Sequence, residues 1–230
     1  MATLKDMLGC EPHEVPGQTP PEPHARVAEQ TFSDEGLRRL FTHPPDWQTE
    51  MRHERQWGRA TTRRDAAVLV PIVMRGEPTV LLTQRTAHLP THAGQIAFPG
   101  GKIDPHDHDA TAAALREAEE EVGLSRQWVD VIGHMPSYHT GSGFDITPVV
   151  ALVDSQAQWA ANPDEVALVF EVPLRFLMDP RNHILHEADV MGEALHWWSM
   201  PYAQAQQTHY IWGATAAMLR NLYRLMAAAP

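Results

Sequence analysis

The segment Asp109–Gly123, DATAAALREAEEEVG, constrains this chain most. Alanine, leucine, arginine and glutamate are strong helix formers. Glycine is suited to the left-handed residue that stops a helix. The reading is a helix over Asp109–Val122 that ends at Gly123. Residues three and four apart share a helix face, so Glu117, Glu120 and Glu121 gather on one side. Leu115, Ala118 and Val122 fall on another side, free to pack on a sheet. Like charges at that spacing repel by roughly a few tenths of a kcal/mol per pair. A hard divalent cation such as Mg²⁺ removes the repulsion, because it takes carboxylate and phosphate oxygens as ligands. An acidic helix face is also the common look of a solvated surface, so the residues before the helix carry the decision.

Around this helix the chain shows no internal repeat. Five prolines between Pro12 and Pro23 break up residues 1–30, which read as a loose N-terminal arm. Ser33 is placed to cap a short helix, SDEGLRRLF, that Pro44 and Pro45 end. The expected division is a proline-rich arm with a short helix over 1–63 and a compact domain over 64–230. Ala66–Met74 and Thr79–Thr83 are apolar, β-branched runs separated by a turn, and read as a hairpin. Strands are expected at Val129–Met135, Ile146–Val153 and Leu195–Ser199. Helices are expected at Leu174–Met178 and Ala214–Met226, the second amphipathic through Met218, Leu219, Leu222 and Leu225. Strands and helices do not alternate regularly, which predicts an α+β fold with a mixed sheet between helices.

Composition excludes several classes. Of 230 residues, 43 % are hydrophobic and 20 % charged, enough apolar material for a core. No run approaches the ~18 apolar residues of a membrane span. The N-terminus lacks a secretory pattern and the C-terminus a lipidation or retention signal. Cys10 is the only cysteine, so no intrachain disulfide forms, and a cytoplasmic location is expected. The net charge of −11, without a run of Lys or Arg, argues against a nucleic-acid partner. A polyanionic small molecule would need a metal ion or a few placed arginines.

Phe98–Leu124, FPGGKIDPHDHDATAAALREAEEEVGL, resembles the Nudix box, G-x5-E-x7-R-E-U-x-E-E-x-G-U with U apolar. Gly101 fits its first glycine, and Arg116–Leu124 fits every defined position of its closing half. Two departures lie between. The first acidic position is Asp107, and eight residues instead of seven separate it from Arg116, so no role carries over to Asp107. The resemblance implies an α/β/α sandwich with a mixed sheet and a loop–helix–loop catalytic motif. It implies that Glu117, Glu120 and Glu121 bind Mg²⁺ or Mn²⁺, that Arg116 holds the glutamates, and that the Gly101 region fixes the loop. A later glutamate often serves such enzymes as general base, and Glu165 in NPDEV is the candidate.

Just upstream, Leu81–Gly101 is similar to the signature of the coenzyme A pyrophosphatase branch, L-L-T-x-R-[SA]-x3-R-x3-G-x3-F-P-G-G. Leu81, Leu82, Thr83, Arg85, Gly94, Phe98, Pro99, Gly100 and Gly101 match in register. Thr86 replaces Ser or Ala, and Pro90 replaces an arginine. The branch implies cleavage of CoA or acyl-CoA to adenosine 3′,5′-bisphosphate and 4′-(acyl)phosphopantetheine. Arg85 would serve the phosphates, since a guanidinium matches them bidentately, and Gly100 and Gly101 would shape the substrate loop. A homodimer is the assembly left open.

Two other functions stand beside this one: a Nudix hydrolase of ADP-ribose, NADH or other nucleoside diphosphate derivatives, and a non-catalytic CoA- or nucleotide-binding module. The carboxylates at 117, 120 and 121 speak against the module. Other features are set aside. His106-Asp107-His108 has no zinc spacing and is expected in solvent. Trp197, Trp198 and Phe98 are expected in the core. Ser142 in TGSGFD is a poor match to a nucleophile elbow, with Thr140 at its first glycine, and Cys10 has no activating neighbour.

Overall fold

Two apolar runs, Ala66–Val73 and Thr147–Val153, lie side by side as the centre of the molecule because both their faces are buried. The computed structural model describes residues 8–20, 25–51, 63–88, 93–190 and 192–230. In chain order its strands are β1 (Gly17–Gln18), β2 (Arg64–Val73), β3 (Thr79–Arg85), β4 (Ile96–Ala97), β5 (Gly100–Lys102) and β6 (Val129–His134). They continue as β7 (Tyr138–His139), β8 (Phe144–Val153), β9 (Val166–Pro173), β10 (Ile184–Val190), β11 (Glu193–Gln204) and β12 (Gln207–Trp212). The α-helices are α1 (Asp34–Thr42), α2 (Ala110–Val122), α3 (Leu174–Leu177) and α4 (Gly213–Ala227).

The larger sheet is mixed. Strand β2 runs parallel to β8 from Arg64↔Phe144 to Val73↔Val153. The expected hairpin exists but is short: β2 meets β3 only at Ile72↔Val80 and Val73↔Thr79. Beyond that point β3 splays away to pair with β4 and, along its other edge, with β9. The edge of β2 so vacated is filled by β5, through Val68↔Gly100, Ala67↔Gly101 and Ala66↔Lys102. A Cβ on Gly100 would meet the Ala67 carbonyl oxygen at 2.4 Å, so only glycine lets β5 lie there.

The sheet has a helix layer on each face. On one face Ala67, Leu69, Val73, Val149 and Ala151 pack against Ala113, Ala114, Ala118 and Val122 of α2. On the other, Val70, Ile72, Val80, Leu82 and Phe170 pack against Met218, Leu219, Leu222 and Leu225 of α4 and Leu37 and Leu40 of α1. Phe98, Trp197 and Trp198 are buried, as expected.

The expected strand at Leu195–Ser199 is present within β11, and it belongs to a second antiparallel sheet, ordered β1-β10-β11-β12 among the described residues. Its pattern is obscured because polar groups enter its core. His186 stacks on Trp197 and hydrogen-bonds Ser199 Oγ at 2.8 Å, which satisfies both groups away from water. One expectation needs correction: the described part of the N-terminal arm is not loose. Gly17 and Gln18 add to the edge of β10, the Val15 carbonyl bonds His186 Nδ1 at 2.9 Å, and Tyr210 donates to the Pro12 carbonyl at 3.1 Å. Further on, Asn221 of α4 binds the backbone of Glu50 and Met51 through three hydrogen bonds. Prolines keep the regular elements there to two or three residues, and they leave carbonyl acceptors that tertiary partners can use.

Candidate active site

The site grows from the two ends of α2. At its start Asp109 is the N-cap, accepting the Ala112 N–H at 2.8 Å. At its end Gly123, at φ 65°, turns the chain out. The helix thereby lays Glu117 and Glu121 along β5. A Cβ on Gly101 would lie 2.4 Å from Glu117 Oε1, so this glycine leaves room for a carboxylate directly against the strand. Glu121 is 3 % exposed and accepts the Gly100 N–H at 3.1 Å. Arg85, at the end of β3, places Nη1 3.6 Å from Glu121 Oε1. Its Nε is buried without a hydrogen-bond partner.

Burial pushes the Glu121 carboxyl up to about 7 against the pull of Gly100 and Arg85, and Glu117 and Glu165 push the same way. Burial also raises Glu117, opposed by Arg116 and reinforced by Glu120 and Glu165. Glu165 is thus near enough for its charge to act on both. It is set there by a loop tied to the end of α2: the Glu121 carbonyl accepts the Asn162 N–H at 2.9 Å, and the Asn162 carbonyl accepts the Glu165 N–H at 3.1 Å. The Glu165 carbonyl in turn accepts the Thr86 N–H at 3.0 Å, which joins the loop to the end of β3.

Arg116 spends all five of its N–H donors. Nη1 donates to Glu117 and to Glu120, both at 3.0 Å. Nη2 donates to the Lys102 carbonyl at 3.2 Å and to Asp107 at 2.8 Å, and Nε to Asp107 at 3.0 Å. Arg116 thus holds two of the glutamates, as expected. Asp107, to which the sequence assigned nothing, is its main anchor, and the arginine holds that carboxyl below its usual range. The extra residue of the loop is absorbed in a turn in which Asp107 also accepts the Asp104 N–H at 2.8 Å.

Glu120 departs from the expected trio. Its side chain is 56 % exposed and turned to Arg116, whereas Glu121 is enclosed. Among the described residues, no three His, Cys, Asp or Glu side chains stand together as a metal-binding group. Glu117 and Glu121 still suit a hard cation: both offer carboxylate oxygens, burial raises both, and Glu117 adds to the rise of Glu121. Pro90 lies outside the described residues. His106 and His108 are exposed, as expected. His139, without a partner in the sequence reading, pairs with Asp145 at 2.6 Å. Among the described residues, no helix is long and apolar enough to cross a membrane.

Residues 62–218 match the family description "NUDIX domain". The chain is 42 % identical over 163 residues to the protein named "Uncharacterized Nudix hydrolase NudL" of Yersinia pestis (strain Pestoides F). That match covers 71 % of this chain and 80 % of the relative. Among solved structures, the M. smegmatis Nudix hydrolase RenU superposes with a TM-score of 0.52 at 21 % identity, over 80 % of this chain and 96 % of RenU. The likeness to RenU is one of fold.

Proposed function

The chain belongs to the Nudix family, and from that premise we propose that it hydrolyses the diphosphate bond of a nucleoside diphosphate derivative, with CoA or an acyl-CoA as its substrate. The observation that carries the hydrolase reading is the pair Glu117 and Glu121, laid against Gly101 and Gly100. The CoA reading is supported by the Leu81–Gly101 segment: its two ends, Arg85 and Gly100, both reach Glu121.

Glu117, Glu121 and, after release from Arg116, Glu120 would hold Mg²⁺ or Mn²⁺. When bound, such an ion polarises the diphosphate and lowers the pKa of a coordinated water. The protein's own groups set the geometry. Arg116 fixes Glu117 through a charge-assisted hydrogen bond. Arg85 presents a cation at the mouth of the cradle, where it offsets phosphate charge. Glu165 would take a proton from the attacking water, and the loop that carries it is hydrogen-bonded to the end of α2.

The second reading, hydrolysis of ADP-ribose, NADH or a similar compound, is favoured by Pro90, which removes an arginine from the CoA signature. Product analysis with CoA, acyl-CoAs, ADP-ribose and NADH, in Mg²⁺, Mn²⁺ and chelator, separates the two. Metal-dependent release of 4′-phosphopantetheine faster than any other product upholds the CoA reading. Preference for ADP-ribose or NADH replaces it, and binding of CoA without turnover of any substrate moves the non-catalytic module forward.

A further inference from the structure

The carboxylate cradle is part of a closed circuit of contacts. The last turn of a helix leaves carbonyl groups without partners inside it. At the end of α2 two of them are taken by the loop that follows β8. The Val122 carbonyl accepts the Ala160 N–H and the Glu121 carbonyl the Asn162 N–H, each at 2.9 Å. From Asn162 the chain turns at once: its carbonyl accepts the Glu165 N–H at 3.1 Å and the Val166 N–H at 2.8 Å. The Glu165 carbonyl then accepts the Thr86 N–H at 3.0 Å. Thr86 follows Arg85, whose Nη1 returns to Glu121 at 3.6 Å. Glu165 therefore sits between two anchored points, the end of the catalytic helix and the end of β3.

The backbone part of this circuit does not depend on the side chain at 162. Asparagine adds a further bond. Asn162 Oδ1 accepts the Asp164 N–H at 3.2 Å, which closes a second ring inside the turn. Pro163 presets the backbone at the turn's second position. A turn restrained in both ways has few other conformations open to it, so Glu165 leaves it in one direction. From there its charge acts on both Glu117 and Glu121.

We propose that Asn162 is a positioning residue for the hydrolysis: its bond to the Asp164 amide holds the turn that keeps Glu165 within reach of the carboxylate cradle. This rests on the reading of Glu165 as the general base. Loosening the turn leaves Glu117, Glu121 and Arg85 in place. Substrate binding is then preserved while the base spends less time in its working position, so kcat falls and KM does not change.

The test is a double-mutant cycle between Asn162→Ala and Glu165→Gln. It is read by steady-state kinetics with CoA, ADP-ribose or NADH, whichever turns over fastest, and by the melting temperature of each variant. Asn162→Ala is expected to lower kcat about threefold to tenfold, the worth of one hydrogen bond, with KM unchanged. Asn162→Asp keeps the acceptor and should recover most of the loss. Pro163→Ala loosens the same turn without removing a hydrogen bond and should show the same pattern. In the Glu165→Gln background, Asn162→Ala should have no further effect, because the group it positions is gone. The same loss in both backgrounds, a loss that appears in KM, or a wild-type rate in Asn162→Ala would overturn the proposal and leave the base reading intact. A near-normal rate in Glu165→Gln alone would remove the base reading, and the role of Asn162 with it.

Discussion

Asp107 and Arg116 meet across nine residues through two parallel hydrogen bonds, Nε to Oδ1 at 3.0 Å and Nη2 to Oδ2 at 2.8 Å. This bidentate pair leaves Arg116 Nη1 free to hold Glu117 and Glu120. Asp107→Ala is therefore expected to lower kcat/KM by roughly tenfold, the worth of one charge-assisted bond. Asp107→Asn should lose less, because one oxygen acceptor remains. Steady-state kinetics on both variants checks this; wild-type values in Asp107→Ala would show that Arg116 positions the glutamates unaided.

Glu121 sets a pH dependence whose sign is opposite to that of a carboxylate with a lowered pKa, because burial outweighs its pairing with Arg85. Its folded pKa, about 7, lies above the unfolded value of 4.5. Between those values the unfolded chain has already released the proton that the folded protein retains. Stability is full below about 4.5 and falls as pH rises through 7. At about 1.4 kcal/mol per pKa unit the metal-free protein loses on the order of 3 kcal/mol across that window. Glu121→Gln should remove this fall. The variant is expected to be more stable than wild type at pH 8 in chelator and equal to it at pH 4, by denaturant titration. Its turnover should drop by a few orders of magnitude, on the order expected for loss of a metal-facing carboxylate. Parallel stability curves for the two proteins would refute the burial of this charge.

The two glycines of β5 should fail differently. A methyl group on Gly101 meets the Glu117 carboxylate, a side-chain end that can move. A methyl group on Gly100 meets the Ala67 carbonyl, which cannot. Gly101→Ala is expected to fold and to lose on the order of a hundredfold in kcat through displacement of Glu117. Gly100→Ala should lower the melting temperature as well, because β5 must leave β2. Calorimetric melting and kinetics together distinguish them.

Glu165→Gln is expected to lower kcat by on the order of a hundredfold or more, with KM little changed, as for a general base. A loss below about twofold would assign the proton transfer to another group.

The N-terminal segment should contribute to stability rather than hang free. Asn221 is 3 % exposed and serves three backbone groups of residues 50 and 51. Asn221→Leu is expected to cost about 1–3 kcal/mol in denaturant unfolding, the penalty for unsatisfied buried polar groups. An unchanged midpoint would mean that the segment is held by its other contacts.

The sequence by itself determined α2, its stop at Gly123 and the carboxylates it carries. Those depend on local backbone preferences and on a fixed period of 3.6 residues. It also determined the central strands, because Val, Leu and Ile runs buried on both faces have few other fates. Tertiary structure alone decided which glutamate of the acidic face is enclosed. Periodicity places Glu117, Glu120 and Glu121 on one side, but β5 covers only part of it, so Glu121 is buried and Glu120 turns to Arg116 and solvent. The role of Asp107 was equally hidden, since a one-residue insertion changes register in the sequence while a turn absorbs it in space. The second sheet and the docked N-terminal segment were out of reach for the same reason. They are held by His186, Tyr210 and Asn221 bonding to carbonyls and amides about 170 to 200 residues away, pairings that no local pattern encodes.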